Sequence, residues 1–225
     1  MSKEGMKNLR LEKKKGPSDF LAYYVHRPIE NRIIHHITDS RITPNQLTVI
    51  TNLIAYLATG LFLFGHLLAA SILTFVVGLM DGLDGKLARA RGCPTKLGSM
   101  EHPFDLLYEF SWLIALSLYL YTSSGHPLSL IFCSLTILFM AFYRSCYDRF
   151  TITMRTSLDN YGRFERVFRR MAGRRNLYNI HILLGVAFGV PLYSLATILC
   201  HSILTAVVYA YRACINMHSA DKVGL

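Results

Sequence analysis

Acidic side chains recur inside a stretch of this chain that otherwise reads as membrane helix. From about Leu67 the residues are apolar enough to span, yet the last turns of the run carry Asp81, Asp84, Gly85, Ala88 and Arg89. Gly98, Glu101, Asp105 and Glu109 follow at the head of the next apolar run. Carboxylates at membrane depth are expensive, so residues of this kind mark a functional site. On a helix, Asp81, Asp84 and Ala88 fall on one stripe, and so do Glu101, Asp105 and Glu109. Several carboxylates from two helices facing one cavity cannot all stay ionised without cations. Hard oxygen ligands suit Mg²⁺ or Mn²⁺. The pattern predicts a membrane-embedded metal site for phosphate chemistry.

Composition agrees with a membrane setting. Of 225 residues, 52% are hydrophobic and only 17% are charged, which argues against a soluble domain. No nucleic-acid partner is expected. The cysteines Cys93, Cys133, Cys146, Cys200 and Cys214 form no CxxC pair and have no histidine at zinc-ligand spacing, so they read as apolar fillers. The first apolar run comes late, after a long polar segment, unlike a cleavable signal peptide.

The expected architecture is all-α: a polytopic membrane protein with six transmembrane helices and an N-terminal interfacial amphipathic helix. Residues 1–17 form a basic flexible tail, with Lys13, Lys14 and Lys15 in a row. Residues 18–42 hold the amphipathic helix, capped by Ser18 or Asp19, with Pro28 as a kink or break. Its apolar positions are Phe20, Leu21, Tyr24, Val25, Ile29, Ile33, Ile34 and Ile37. Residues 43–214 form the six-helix catalytic domain, and 215–225 a cytoplasmic tail. A span takes about 20 apolar residues. The spans run from about Pro44 to Phe64, Leu67 to Arg89, Pro103 to Tyr121, Leu128 to Phe142, Leu177 to Val190 and Pro191 to Tyr211. Thr43 caps the first, with Pro44 at its first helical position. The turns near Gly65, Ser123–His126 and Gly189 lack Lys and Arg, whereas the N-terminal segment, the 86–96 and 144–175 loops and the C-terminal tail carry them. The charge bias puts both termini and the acidic motif on the cytoplasmic side. Arg144, Arg155, Arg163 and Arg166 of the 144–175 segment serve either as orientation signals or as an anion pocket.

The order Asp81-Gly82-Leu83-Asp84-Gly85-Lys86-Leu87-Ala88-Arg89, then eight residues, then Gly98, resembles the CDP-alcohol phosphotransferase signature. That signature reads D-x-x-D-G-x-x-A-R, eight residues, G, three residues, D, three residues, D. The entry Thr43-Pro44-Asn45-Gln46-Leu47-Thr48 and the six-helix plan extend the resemblance over most of the chain. The second half departs from it. Four and eight residues after Gly98 stand His102 and Leu106, and the acids fall one position early, at Glu101 and Asp105. Their mutual spacing of four is kept, which suggests a loop one residue shorter. With Pro103 tolerated best in a first turn, the helix is expected to begin later than in relatives.

The resemblance implies transfer of a phosphatidyl-type group from a CDP-lipid (CDP-diacylglycerol or CDP-archaeol) to a small polar, phosphorylated or plain, alcohol with release of CMP. Asp81, Asp84, Glu101 and Asp105 would hold two Mg²⁺ or Mn²⁺ ions, and Asp105 would be the catalytic base. Asp84, Gly85, Ala88, Arg89 and Gly98 would bind the CDP moiety. Arg144, Arg155, Arg163, Arg166, Glu109 and His102 are acceptor-site candidates; His102 as ligand or base, and Glu109 as a satisfied polar residue, are alternatives. A homodimer among membrane lipids is implied. Within the family the donor can instead be a soluble CDP-alcohol. A cation transporter explains the intramembrane acids but not the spacing of Gly85, Ala88, Arg89 and Gly98. A membrane prenyltransferase would have more than six spans.

Overall fold

The computed structural model describes residues 19–93, 100–125 and 127–223, save the side chains of Glu101 and Val223. They are helical, with no strand among the described residues. They divide into two compact units, one comprising Phe20–Tyr119 and the other Leu120–Leu225 together with Asp19.

In the first unit a five-residue π-helical turn, Ala22–His26, runs into α1 (Arg27–Ile37). The wider turn lies where Pro28, which has no N–H and crowds the carbonyl four residues back, would otherwise break the ladder. The apolar positions of this segment are divided. Ile34 is fully buried, but Phe20, Tyr24, Val25 and Ile29 are exposed. The inward stripe is His26, Glu30 and Ile34, at helical spacing. Ile34 packs with Leu47, Leu83, Leu87 and Ala90.

Helix α2 (Pro44–Leu63) starts where expected. Thr43 Oγ1 accepts from Gln46 N (3.2 Å), and Thr43 N donates to Gln46 Oε1 (2.9 Å), a reciprocal capping box. Helix α3 (Leu67–Met80) and α4 (Leu83–Arg91) occupy the expected second span, separated by a turn at Asp81 and Gly82. Gly92 ends α4 in the left-handed region (φ 70°), and Cys93 N donates back to Ala88 O (2.9 Å). The buried residues of α2 and α3 are mostly small or hydroxylated: Thr48, Thr51, Ala55 and Ala58 on one and Ala70, Ser71, Thr74 and Gly78 on the other, beside Leu47, Phe62 and Val77. Leu53, Leu57, Leu68 and Ile72 point outward. In lipid, small residues let helices approach, and apolar side chains lose nothing by facing out. Helix α5 (Glu101–Ser124) begins at Glu101, two residues before the expected start of the third span, and Pro103 sits in its first turn. Trp112 Nε1 donates to Ala55 O (2.8 Å), and Ser111 Oγ meets Thr59 Oγ1 (2.8 Å), joining α5 to α2.

Arg91 holds α1 to α4. Its guanidinium donates to the carbonyls of Ile37, Thr38, Ser40 and Ile42 at 2.6–3.0 Å. These include carbonyls left open by the helix end, where a cation is favoured. At the other end of α4, Lys86 Nζ lies 2.8 Å from Glu30 Oε2 and donates to Asn31 Oδ1 (2.6 Å).

In the second unit α6 (Pro127–Met154) continues well past Phe142, so Arg144 and Arg149 lie on a helix and not in a loop. Short helices α7 (Leu158–Tyr161) and α8 (Arg163–Phe168) lead to α9 (Arg175–Ala187) and α10 (Pro191–Val223). The last helix thus takes in most of the segment expected as a tail. Thr205 Oγ1 accepts from Gly173 N (2.8 Å), and Tyr143 OH donates to Gly173 O (2.8 Å). A Cβ at Gly173 would meet Tyr178 OH and Thr205 Oγ1, so this loop docks through bare backbone.

Among the described residues, four stretches are long and apolar enough to cross a membrane: Pro44–Leu63, Leu67–Arg91, Pro127–Met154 and Pro191–Lys222. The third and fifth expected spans, α5 and α9, are not among them.

Arg91→Ala removes the four hydrogen bonds at the end of α1. It is expected to cost about 2 kcal/mol, the scale of charge-assisted hydrogen bonds. Thermal unfolding in detergent measures this, and faster amide exchange confined to residues 27–42 would localise it.

Candidate active site

The turn between α3 and α4 places Asp81 and Asp84 beside α2 and α5. Asp81, Asp84 and Asp105 line one small cavity with Thr48, Thr51 and Asn52. Asp84 is buried. Its Oδ2 accepts from Thr48 Oγ1 (2.5 Å), and its Oδ1 from Gly85 N (2.5 Å). Asp105 Oδ1 accepts from Tyr108 OH (2.6 Å). Tyr108 is fully buried, and its ring lies 5.0 Å from that of Trp112. Each of these two carboxylates is thus oriented by a hydroxyl, one from α2 and one from α5.

Gly85 and Arg89 stand one turn apart. A Cβ on Gly85 would lie 3.2 Å from Arg89 Nη1, so glycine leaves the guanidinium its room. Arg89 Nε is buried and has no hydrogen-bond partner. Ala88 is buried on the same helix. Gly82 has a separate constraint, because the Glu30 carboxylate sits 2.8–2.9 Å from where its Cβ would be.

The expected acids are only partly united. Asp81, Asp84 and Asp105 share the cavity. Glu101 opens α5, and the position of its side chain lies outside the described residues, as does Gly98. Glu109 is buried and His102 exposed, and neither lines the cavity. Thr48 stands in the sequence only as the last residue of the family-like entry to the first span, and Asn52 and Tyr108 carry no sequence expectation. The available signal was a polar pair one turn apart, Thr48 and Asn52, on the inner face of an apolar helix.

The donor set suits a hard divalent ion: three carboxylates with neutral hydroxyl and amide oxygens. Among the described residues, no three Asp, Glu, His or Cys side chains already stand close enough together to hold one. The residues fit in kind, and an ion would draw them together.

The basic segment belongs to the second unit. Arg155, Arg163 and Arg166 are exposed, and Arg155 has a left-handed backbone (φ 51°). Arg144 is half-buried on α6. Other cations of this unit are committed to acids. Asp159, buried, meets Arg169 Nε (2.7 Å), Arg174 Nη2 (3.6 Å) and Tyr209 OH (3.0 Å). Burial holds its carboxyl above the ordinary range, with Arg174 and the tyrosine hydroxyls pulling it down. Glu165 Oε1 takes Arg212 Nε (2.6 Å) and Nη2 (2.5 Å) and Asn216 Nδ2 (3.1 Å). Burial would raise the Glu165 carboxyl, but the hydrogen bonds from Asn216, the backbone and Arg212 bring it below the ordinary range.

Residues 41–163, more than half of the chain, match the family model described as CDP-alcohol phosphatidyltransferase. The chain is 39% identical over 95 residues to the archaetidylinositol phosphate synthase of Pyrococcus horikoshii, covering 42% of this chain and 50% of that one. It is 35% identical over 108 residues to the bifunctional IPC transferase and DIPP synthase of Aquifex aeolicus, covering 47% and 25%. These matches thus span half or less of the length of either curated relative. In structure it is similar to the phosphatidylinositol phosphate synthase of Mycobacterium tuberculosis with CDP-DAG bound. The TM-score is 0.65 at 17% identity, covering 83% of this chain and 94% of that one. A second structure of that enzyme, in complex with manganese and citrate, also gives 0.65, covering 82% and 88%.

Thr48→Val keeps the shape of the side chain but takes a donor from Asp84, and Tyr108→Phe does the same to Asp105. Groups that orient ligands typically change metal affinity about 10–100-fold. Each variant is expected to weaken Mg²⁺ binding about tenfold in calorimetric titration, with the fold retained.

The depressed Glu165 group adds stability above the ordinary carboxylate range and loses it as pH falls through its folded value. Melting temperature between about pH 6 and pH 3 should drop for the wild type. Glu165→Gln should melt lower at neutral pH, and its profile should be flatter at the acid end.

Proposed function

The chain belongs to the CDP-alcohol phosphatidyltransferase family, and we propose that it is a metal-dependent membrane enzyme moving a phosphatidyl-type group from a CDP-lipid to a phosphorylated polyol. The observation that carries this is the shared cavity of Asp81, Asp84 and Asp105, set in the Asp81-to-Arg89 motif. Two observations on relatives support the substrates. The archaeal relative is an archaetidylinositol phosphate synthase, and the structural neighbour has CDP-DAG bound. An inositol phosphate-type acceptor fits both.

The acceptor hydroxyl attacks the lipid-side phosphorus. A new oxygen–phosphorus bond forms, the bond to the bridging pyrophosphate oxygen breaks, and CMP leaves with that oxygen. Asp105, held by Tyr108, takes the hydroxyl proton. Asp81, Asp84, Glu101 and Asp105 would hold two Mg²⁺ or Mn²⁺ ions, whose chemistry is to neutralise the pyrophosphate and the departing phosphate. Arg89 offers its unpartnered Nε to phosphate. Gly85 and Ala88 keep the wall low for the CDP moiety, and Gly98 is a further CDP-binding candidate by its place in the motif. Arg144, Arg155, Arg163 and Arg166, with Glu109 and His102, are the acceptor-side candidates. Arg155, Arg163 and Arg166 are exposed, as an anion site needs.

The proposal includes six spans, α5 and α9 among them, and a homodimer. It puts α1 on the membrane surface, its exposed Phe20, Tyr23, Tyr24 and Ile29 toward lipid. Both termini and the cavity lie on the cytoplasmic side, where CDP-linked and phosphorylated substrates reside.

A panel of CDP-donors against acceptor alcohols, read as CMP release by purified protein, tests the reading. CDP-diacylglycerol or CDP-archaeol with inositol phosphate should turn over in Mg²⁺ or Mn²⁺, and a chelator should abolish it reversibly. Asp81→Asn and Asp84→Asn should each lower turnover by at least about 10²-fold with the melting temperature retained. Activity near wild type in either variant would overturn the metal assignment.

A further inference from the structure

We propose that Asn52 supplies a neutral oxygen to the coordination sphere of the divalent ion that the cavity carboxylates gather. The inference rests on the metal reading above and adds a residue from α2 that lies outside the Asp81-to-Arg89 motif.

The orientation of the amide is decided by its neighbour. Asn52 Nδ2 donates to Thr48 O at 2.9 Å. A carbonyl only accepts, so the other edge of the amide, Oδ1, is the one left over. That oxygen is shut off from water and has no hydrogen-bond partner. Leaving a buried acceptor unmet is costly, so a group that lines a ligand cavity in this state is waiting for a donor or a cation. Asn52 shares its cavity with Asp81, Asp84 and Asp105. Ionised carboxylates only accept, and the Thr48 hydroxyl is directed at Asp84. A space walled by three carboxylates and this amide oxygen favours a cation, and amide carbonyls are ordinary ligands of hard divalent ions. The charge count also favours a neutral ligand. Four carboxylates, from Asp81, Asp84, Glu101 and Asp105, already balance two divalent ions, and Asn52 adds an oxygen without adding charge.

The test titrates Mn²⁺ alone into the purified full chain, with no substrate, reading free ion by electron paramagnetic resonance. Asn52→Leu has a similar volume and no oxygen, and should raise the Mn²⁺ Kd at least tenfold. Asn52→Asp keeps an oxygen and gains charge, and should bind at least threefold more tightly than wild type. Asn52→Leu within twofold of wild type overturns the proposal. So does an unchanged Mn²⁺ Kd with a raised KM for the acceptor, which would make Asn52 a substrate contact. If Asn52→Leu does not fold, Asn52→Asp decides, and an unchanged Kd there overturns the proposal. A wild-type chain that binds no Mn²⁺ overturns the metal reading itself, and this inference with it.

Discussion

A carboxylate buried between apolar helices must be met by donors, and the first unit is organised around meeting Asp84. Thr48 reaches it from α2 and Gly85 N from its own helix. For Thr48 to reach, α2 and α4 must run close together, and small buried residues such as Ala55 and Ala58 on α2 and Ala88 on α4 suit close helix packing. For Gly85 N to reach, α4 must restart just after the turn at Asp81 and Gly82. The same turn carries Asp81 to the cavity wall. Asp105 follows the same logic from α5, with Tyr108 as its donor and Trp112 pinning that helix to α2.

Much of this was legible beforehand. The acids, their stripe and the motif register pointed to one site, and three of the four expected carboxylates line one cavity. The Thr43-Pro44 start of α2 holds to the residue, because capping is local chemistry that a few side chains decide. Helix length was read poorly for α6 and α10. The sequence reading ended spans where charge appeared, but Arg144 and Arg149 simply continue α6 beyond its apolar part. Backbone hydrogen bonding does not stop where hydropathy does.

Periodicity gives α1 as an interfacial helix without saying which residues meet the protein, and those are His26, Glu30 and Ile34. In water apolar surface drives burial. Near lipid the ranking weakens, and polar groups turn toward the protein to find partners. Glu30 finds Lys86. Asn52 escapes notice for the same reason, as an ordinary member of an apolar span, and Thr48 stands out only as the end of the family-like entry. Their importance comes from what α4 and α5 bring to them, which no local pattern encodes.

The contact between Glu30 and Gly82 has a consequence for how such chains can be recombined. In the motif D-x-x-D-G-x-x-A-R, the two residues after the first acid and the two after the glycine are nominally free. Here Gly82 is kept bare by the Glu30 carboxylate, Lys86 is bound to Glu30 and Asn31, and just beyond the motif Arg91 closes over the end of α1. The unspecified positions are therefore written in a private code shared with α1. A relative's catalytic helix transplanted into this chain would carry matching acids and mismatched joints. The exchangeable module is α1 and α4 together, two segments far apart in the chain that have to be inherited as one.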